Sequence, residues 1–234
     1  MKTPIHEVRV PERFRGPEGT ANGGWISGLV ASYLPAGRAV EVTLRAPTPL
    51  ETVLRIECAP PRVRLLHGSE LLVEAGTVDD DPLPPPFVSP EQAAAAERNF
   101  PGMDVHPFPG CFVCGDRKPG EGLRIHPGPT GEPGMFAALW HVHHGLAEWS
   151  QTLPLCHVWG ALDCPTGWTH LIGGGAALLG RLTAHVRRPV RPGATYVVVA
   201  RNEGTERRKR FASGAVYELG GRLVGASSAT WIAV

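Results

Sequence analysis

Thr20 to Leu34 reads TANGGWISGLVASYL. Its apolar residues Trp25, Ile26, Leu29, Val30, Tyr33 and Leu34 recur at three- and four-residue spacing, which marks one face of a helix. Two glycines, Gly23 and Gly24, head that stripe, although glycine is a poor helix former. A buried helix that begins on Asn-Gly-Gly raises two readings. Asn22 caps the helix and the glycines permit close packing, or the glycines open the helix amides to a ligand.

Strand-forming segments follow this helix. They are AVEVTLR (39–45), TVLRIEC (52–58), RVRLLH (62–67) and ELLVEAGTV (70–78). The second half has the same order. HVWGALDCPTGWTHLI (157–172) is partly helical in pattern, and ALLGRLTAHVR, TYVVVARN, RKRFASGAVYEL and RLVGASSATWIAV read as strands. Pro47 in the first half stands opposite Pro189 in the second, each in a turn after a long strand. Each half is therefore a helix followed by about four antiparallel strands, a weak internal repeat of two units. One helix on one antiparallel sheet is an α+β architecture, and two such units joined edge to edge would share a continuous sheet and bury both helices.

Between the halves, Asp79 to Gly110 carries DDDPLPPPF and FPGMDVHPFPG, whose prolines exclude a central strand. One short helix is expected inside it, capped by Ser89 with Pro90 in its first turn. The expected division is residues 1–80, a proline-rich linker over 81–110, and residues 111–234.

The 234 residues carry 23 basic and 22 acidic side chains, a net charge of +1, which disfavours nucleic acid as a partner. No apolar run is long enough to span a bilayer, and MKTPIHEVRVPERF lacks the apolar core of a signal peptide. A soluble cytoplasmic protein without a membrane partner is expected. Five cysteines is an odd number and few for this length, so a disulfide framework is not expected.

In this order the residues resemble the hotdog-fold acyl-CoA thioesterase superfamily in its tandem, double-hotdog form. Asn22-Gly23-Gly24 stands where many relatives open the main helix with His-Gly-Gly. Arg188-Pro189 with Gly193 matches a common strand ending, and Asp163 precedes Pro189 by a separation similar to that of the acid in phenylacetate-pathway-type members. CFVCG (111–115) followed by GLRI (122–125) resembles the start of many such domains. The departures are complementary. The first helix has the glycines but Ala31 and Ser32 where the acid would fall, and the second has Asp163 but Pro154-Leu155-Cys156 where glycines would fall.

The resemblance implies a composite site, with the glycine end of one helix facing the acid of the other. Asn22, Gly23, Gly24 and Asp163 are the expected catalytic set. Helix-terminal amides would polarise a thioester carbonyl, and a carboxylate would activate water or attack directly. Thr166 and Ser32 are candidate water-positioning hydroxyls, and Arg187 and Arg188 candidate contacts for coenzyme A phosphates; the run Arg207 to Arg210 reads first as a solvated hairpin, with phosphate contact as the sharper alternative. Asp163 reads equally as a cap, because Asp-Cys-Pro can begin a helix. The expected activity is hydrolysis of acyl-CoA or a related thioester. A non-catalytic acyl-CoA-binding protein is the alternative, and a hotdog dehydratase or hydratase ranks last for want of a histidine on the first helix. No cofactor or metal is expected. Cys111 and Cys114 with His106 and His126 would make a conceivable zinc set, and His141 with His143 a weaker pair. A homodimer of two-unit chains is expected to cover exposed sheet surface.

Overall fold

The computed structural model describes residues 5–147, 150–171 and 175–234; Ile172, the last residue of the second expected helical segment, lies outside them. The first unit contributes β1 (Ile5–Arg9), α1 (Gly23–Ala31), β2 (Ala39–Leu44), β3 (Val53–Ala59), β4 (Arg62–His67) and β5 (Glu70–Val78). After α2 (Pro90–Glu97), the second contributes β6 (Gly128–Pro129), β7 (Met135–His141), α3 (Leu155–Trp168), β8 (Ala177–Val186), β9 (Thr195–Glu206), β10 (Lys209–Glu218) and β11 (Leu223–Ala233). The described strands form one sheet in the order β1-β3-β4-β5-β2-β8-β11-β10-β9-β7-β6. The expectation of a continuous sheet shared by two helix-plus-sheet units is met, and the fold is the double hotdog.

The units join through β2 and β8, which run antiparallel with Glu41 opposite Thr183. The register is symmetric about that pair, Val40 facing Ala184 and Val42 facing Leu182. A pseudo-twofold axis therefore passes between the units, relating β2 to β8 and α1 to α3. Pro47 and Pro189 are its equivalents in the turns that follow, as the sequence comparison suggests. Each unit has one more long strand than expected, β1 and β7, both preceding the helix.

Helices α1 and α3 share the core face of the sheet. Asn22 is extended at φ −60° and ψ 132°, and its Oδ1 accepts the Trp25 N–H at 2.9 Å, so the capping reading holds. The glycines also permit close packing. A Cβ on Gly24 would lie 2.3 Å from Asp163 Cβ, and one on Gly28 would lie 2.6 Å from Cys156 Cα and 2.7 Å from Trp159 Cβ. Those contacts run forward along α1 and backward along α3, so the helices pack antiparallel.

Asp163 is not a cap. It lies inside α3, with Pro165 one turn before the end of that helix. Proline removes one helical hydrogen bond and crowds the preceding turn. The carbonyl deprived of its donor is that of Ala161; around it, Leu162 O accepts the Ser227 hydroxyl at 2.7 Å and Asp163 O accepts the Thr166 hydroxyl at 2.6 Å.

The expected short helix is α2, opened by a reciprocal capping box between Ser89 and Gln92 with proline at its start. It covers the other face of the sheet, where Ala93 and Ala96 pack with Met135, Ala137, Val197, Val199 and Ala215 in a separate small core. The alternate residues Phe136, Ala138, Val198 and Ala200 point into the main core. Among the described residues no helix is long and apolar enough to cross a membrane.

Candidate active site

The head of α1 is fixed by backbone bonds before any side chain is considered. The Asn22 N–H donates to the Phe14 carbonyl at 2.8 Å, and the neighbouring Arg15 carbonyl accepts from Phe112 N–H at 2.7 Å. The CFVCG segment is thereby docked beside the helix start. Its other edge is tied by Leu123 N–H to Phe112 O at 2.8 Å and Ile125 N–H to Val113 O at 2.9 Å. From the opposite side α3 brings Asp163 and Cys164.

These elements bound a cavity of about 450 Å3 lined by Asn22, Gly23, Asp163, Cys111, Cys114 and Cys164, with Ile26, Phe108, Trp168, Leu178, Leu179 and Trp231 among its apolar walls. His106, Arg45 and Arg208 also line it. The size and mixed lining suit a small ligand with a long apolar part.

The polar contacts at the helix head are specific. Asp163 Oδ2 accepts the Gly24 N–H at 2.7 Å. Asp163 is 1% exposed, and its Oδ1 has no hydrogen-bond partner among the described residues. Burial raises the Asp163 pKa well above the ordinary carboxylate range, against the lowering effect of the Gly24 amide. Of the first three amides of α1, Trp25 N–H goes to Asn22 and Gly24 N–H to Asp163. Gly23 N–H, at the first helical position, has no intrahelical acceptor, and Gly23 lines the cavity.

The Asn22 amide nitrogen points at sulfur, 3.3 Å from Cys164 Sγ and 3.6 Å from Cys111 Sγ. The thiols of Cys114 and Cys164 and the amides of Val113 and Cys114 hold the Cys111 thiol well below its ordinary pKa, while Cys114 and Cys164 are pushed up, each first by its bond to Cys111. His106 Nδ1 accepts the Phe108 N–H at 3.0 Å, so Nε2 carries the proton and donates to the Cys114 carbonyl at 3.1 Å. Burial lowers its pKa, favouring that neutral form.

Several expected residues lie elsewhere. Thr166 is buried outside the cavity lining, with its hydroxyl donating to Asp163 O and accepting the Trp231 Nε1–H at 2.8 Å. Ser32 is the exposed C-cap of α1, a helix length from Gly24, with its hydroxyl on Leu29 O. Arg187 and Arg188 line a second pocket of about 230 Å3, and Arg187 pairs with Asp81 at 2.5 Å. That pocket is the pseudo-twofold counterpart of the cavity: Leu155 takes the place of Gly23, Val158 of Ile26, and Arg187 of Arg45. Its facing helix has Ala31 where the cavity has Asp163. The counterpart arginines are therefore on the wrong side of the axis to serve Asp163. Arg208, in the exposed turn between β9 and β10, is the member of the 207–210 run that reaches the cavity.

The expected zinc set also separates. His126 stacks on Phe100 at 5.0 Å between ring centroids, and the third group beside Cys111 and Cys114 is Cys164. His143 lies beyond the end of β7, with Nδ1 accepting the Gly145 N–H, so it does not share a strand face with His141. Cys164 is the lining group that a sequence reading passes over, and His106 is named there only in the zinc set. The only signal for Cys164 is its place beside Asp163.

No protein-family model matches the sequence, and no curated protein is significantly similar to it. Solved structures share its fold. A tesB protein from Mycobacterium avium subspecies paratuberculosis aligns over 98% of this chain and 93% of its own, with 15% identity and a TM-score of 0.65. A hot-dog-fold protein of unknown function from Alicyclobacillus acidocaldarius covers the same shares at 12% identity and a TM-score of 0.65. An acyl-CoA thioesterase II from Mycobacterium marinum aligns over 98% and 93% at 11% identity and a TM-score of 0.58. At these identities the likeness is one of fold.

Proposed function

We propose that this chain is a thioester hydrolase that acts on an acyl-CoA or related acyl thioester in the cavity between α1 and α3. The observation that carries the reading is the contact of a buried carboxylate, Asp163, with the glycine head of α1 on the wall of a largely apolar cavity. The acyl group lies against Leu179, Trp168 and Trp231. The thioester carbonyl meets Gly23 N–H, the unengaged amide at the positive end of the helix, which stabilises the developing oxyanion. Asp163, held by Gly24 through Oδ2, takes a proton from water at Oδ1 as the water attacks the carbonyl carbon. Collapse breaks the carbon–sulfur bond, and the departing thiolate recovers that proton. Acid and thiol leave in equal amounts. Arg208, which lines the cavity, would meet the phosphates of a carrier, whereas Arg45 is held by Glu74.

The test follows loss of the thioester absorbance over a panel of short, long and aromatic acyl-CoA substrates, a readout that the protein's own thiols do not disturb. The parent turns over at least one class, and a folded Asp163→Asn variant loses about 10²–10⁴-fold in rate. Equal turnover by the two proteins sinks the assignment.

A second reading is acyl-thioester binding without turnover. It is favoured by the same 2.7 Å bond, which occupies the Gly24 amide that a carbonyl would otherwise use. Calorimetric binding of a non-hydrolysable acyl-CoA ether, with no turnover across the panel, identifies this case.

A further inference from the structure

Three sulfur atoms meet at the inner end of the cavity. Sγ of Cys111, Cys114 and Cys164 all lie within 4.8 Å of one another, and Cys111 and Cys164 are 3.6 Å apart. They come from two elements far apart in the chain, a tight Cys-Phe-Val-Cys turn and the middle of α3, and all three line the cavity. We propose that Cys111, Cys114 and Cys164 form a binding site for a thiophilic divalent cation of the zinc class, with the fourth coordination position open to the cavity.

The spacing fits the ion. A tetrahedral ion with metal–sulfur bonds near 2.3 Å holds its sulfurs about 3.8 Å apart. The 3.6 Å pair meets that value, and the third sulfur needs a shift of no more than about an ångström, within reach of one side-chain torsion. The Cys-x-x-Cys turn is the spacing with which two sulfurs grip one ion. Here the turn is closed by Gly115 N–H on Cys111 O at 3.0 Å, and any Cβ at Gly115 would strike Cys111 O at 2.5 Å.

The surroundings are those of a ligated sulfur. Thiolates around a metal are supported by N–H donors in the outer shell. Val113 N–H reaches Cys111 Sγ at 3.4 Å, and the Asn22 amide spans Cys111 and Cys164. Three thiolates and a divalent cation leave one negative charge, which faces the amino end of the nine-residue α1. Each thiol releases its proton to solvent as its sulfur binds.

The described residues bring no fourth protein ligand to the group. Both nitrogens of His106 are engaged, as described above, and His126 is stacked on Phe100. Asp163 is the nearest carboxylate, with Oδ2 at 4.0 Å from Cys164 Sγ and Oδ1 unpartnered. Three protein ligands with an open position are the pattern of a site that takes a small donor from solution. The proposal stands whether or not the cavity hydrolyses thioesters, because it concerns the sulfurs alone.

The test uses the full chain, reduced and stripped with a chelator, then titrated anaerobically with cobalt(II). One equivalent is expected to produce sulfur-to-cobalt charge-transfer absorption with tetrahedral d–d bands, and added zinc to bleach both. Cys164→Ser is expected to weaken cobalt binding beyond the roughly 10–100-fold that loss of a supporting contact costs, and Cys58→Ser to leave the titration unchanged. If the serine variant fails to fold, the parent still decides the matter by mass spectrometry: zinc slows alkylation of Cys111, Cys114 and Cys164 and leaves Cys58 as it was. Absence of charge-transfer bands while all three thiols are reduced overturns the proposal. So does a full signal in folded Cys164→Ser, or zinc that leaves the three alkylation rates unaltered.

Discussion

At Asp163 stability and chemistry pull in opposite directions. A carboxyl group with one oxygen buried and unpartnered costs the fold about 1–3 kcal/mol. Its pKa is raised by burial, so the folded chain holds the proton more tightly than the unfolded chain, whose reference value is 3.8. Its stabilising contribution is therefore greatest at low pH. It declines as pH rises above that reference, at about 1.4 kcal/mol per pH unit for one proton, until the folded-state pKa is passed. Urea unfolding across a pH series should show this slope in the parent and lose it in Asp163→Asn, which should match or exceed the parent's stability in mildly alkaline buffer. Rate should move the other way. If Asp163 accepts a proton from water, kcat/KM climbs with pH through the same raised pKa, and a profile that is flat there removes Asp163 as the base. The residue's placement against a glycine-headed helix is legible in the sequence only through the complementary departures of the two halves. Its mid-helix setting is not, because Asp-Cys-Pro carries every local mark of a helix start.

The element that decides the geometry is the α1–α3 contact. Gly24→Ala and Gly28→Ala both thrust a methyl group into α3, at distances under 3 Å. Each should cost about 1–3 kcal/mol, lowering Tm by several degrees. Only Gly24→Ala also displaces Asp163, so only it should reduce turnover per folded molecule; equal losses in the two variants would show that the helix head has no special part. Strands β2 to β5 and β8 to β11 are legible because β-branched runs are separated by turn residues. Two strands escape that reading for opposite reasons. β1 is an edge strand, exposed along most of its length, so no apolar alternation marks it. β7 is buried on both faces, between α2 and the main core, so its residues form a continuous apolar run that does not declare its period. The third thiol is hidden likewise. Cys164 lies 53 residues from Cys111, and no local spacing links them.

For the whole molecule, the sheet faces differ between the units. Among the described residues α2 covers the outer face of the second, whereas strands β3 to β5 of the first carry the ion pairs Arg55–Glu57 and Arg62–Glu74 on that face, with Arg45, just beyond β2, also on Glu74. Exposed sheet needing cover was the reason for expecting a dimer, and that charged face supplies little of it. Light scattering tests the point directly. Continuity of the sheet through β2 and β8 implies that neither unit keeps a closed edge alone. Calorimetry should therefore show one transition with equal calorimetric and van't Hoff enthalpies, and two resolved transitions would contradict the shared core.

The pseudo-twofold axis relates a cavity that holds an acid to a smaller pocket where Leu155 and Ala31 occupy the corresponding positions. A true dimer of identical subunits presents its ligand with two equal berths, and the first occupant can alter the second. On the reading proposed above, the described residues offer one berth. Saturation should accordingly follow a simple hyperbola with a Hill coefficient of one and half the stoichiometry of a symmetric pair.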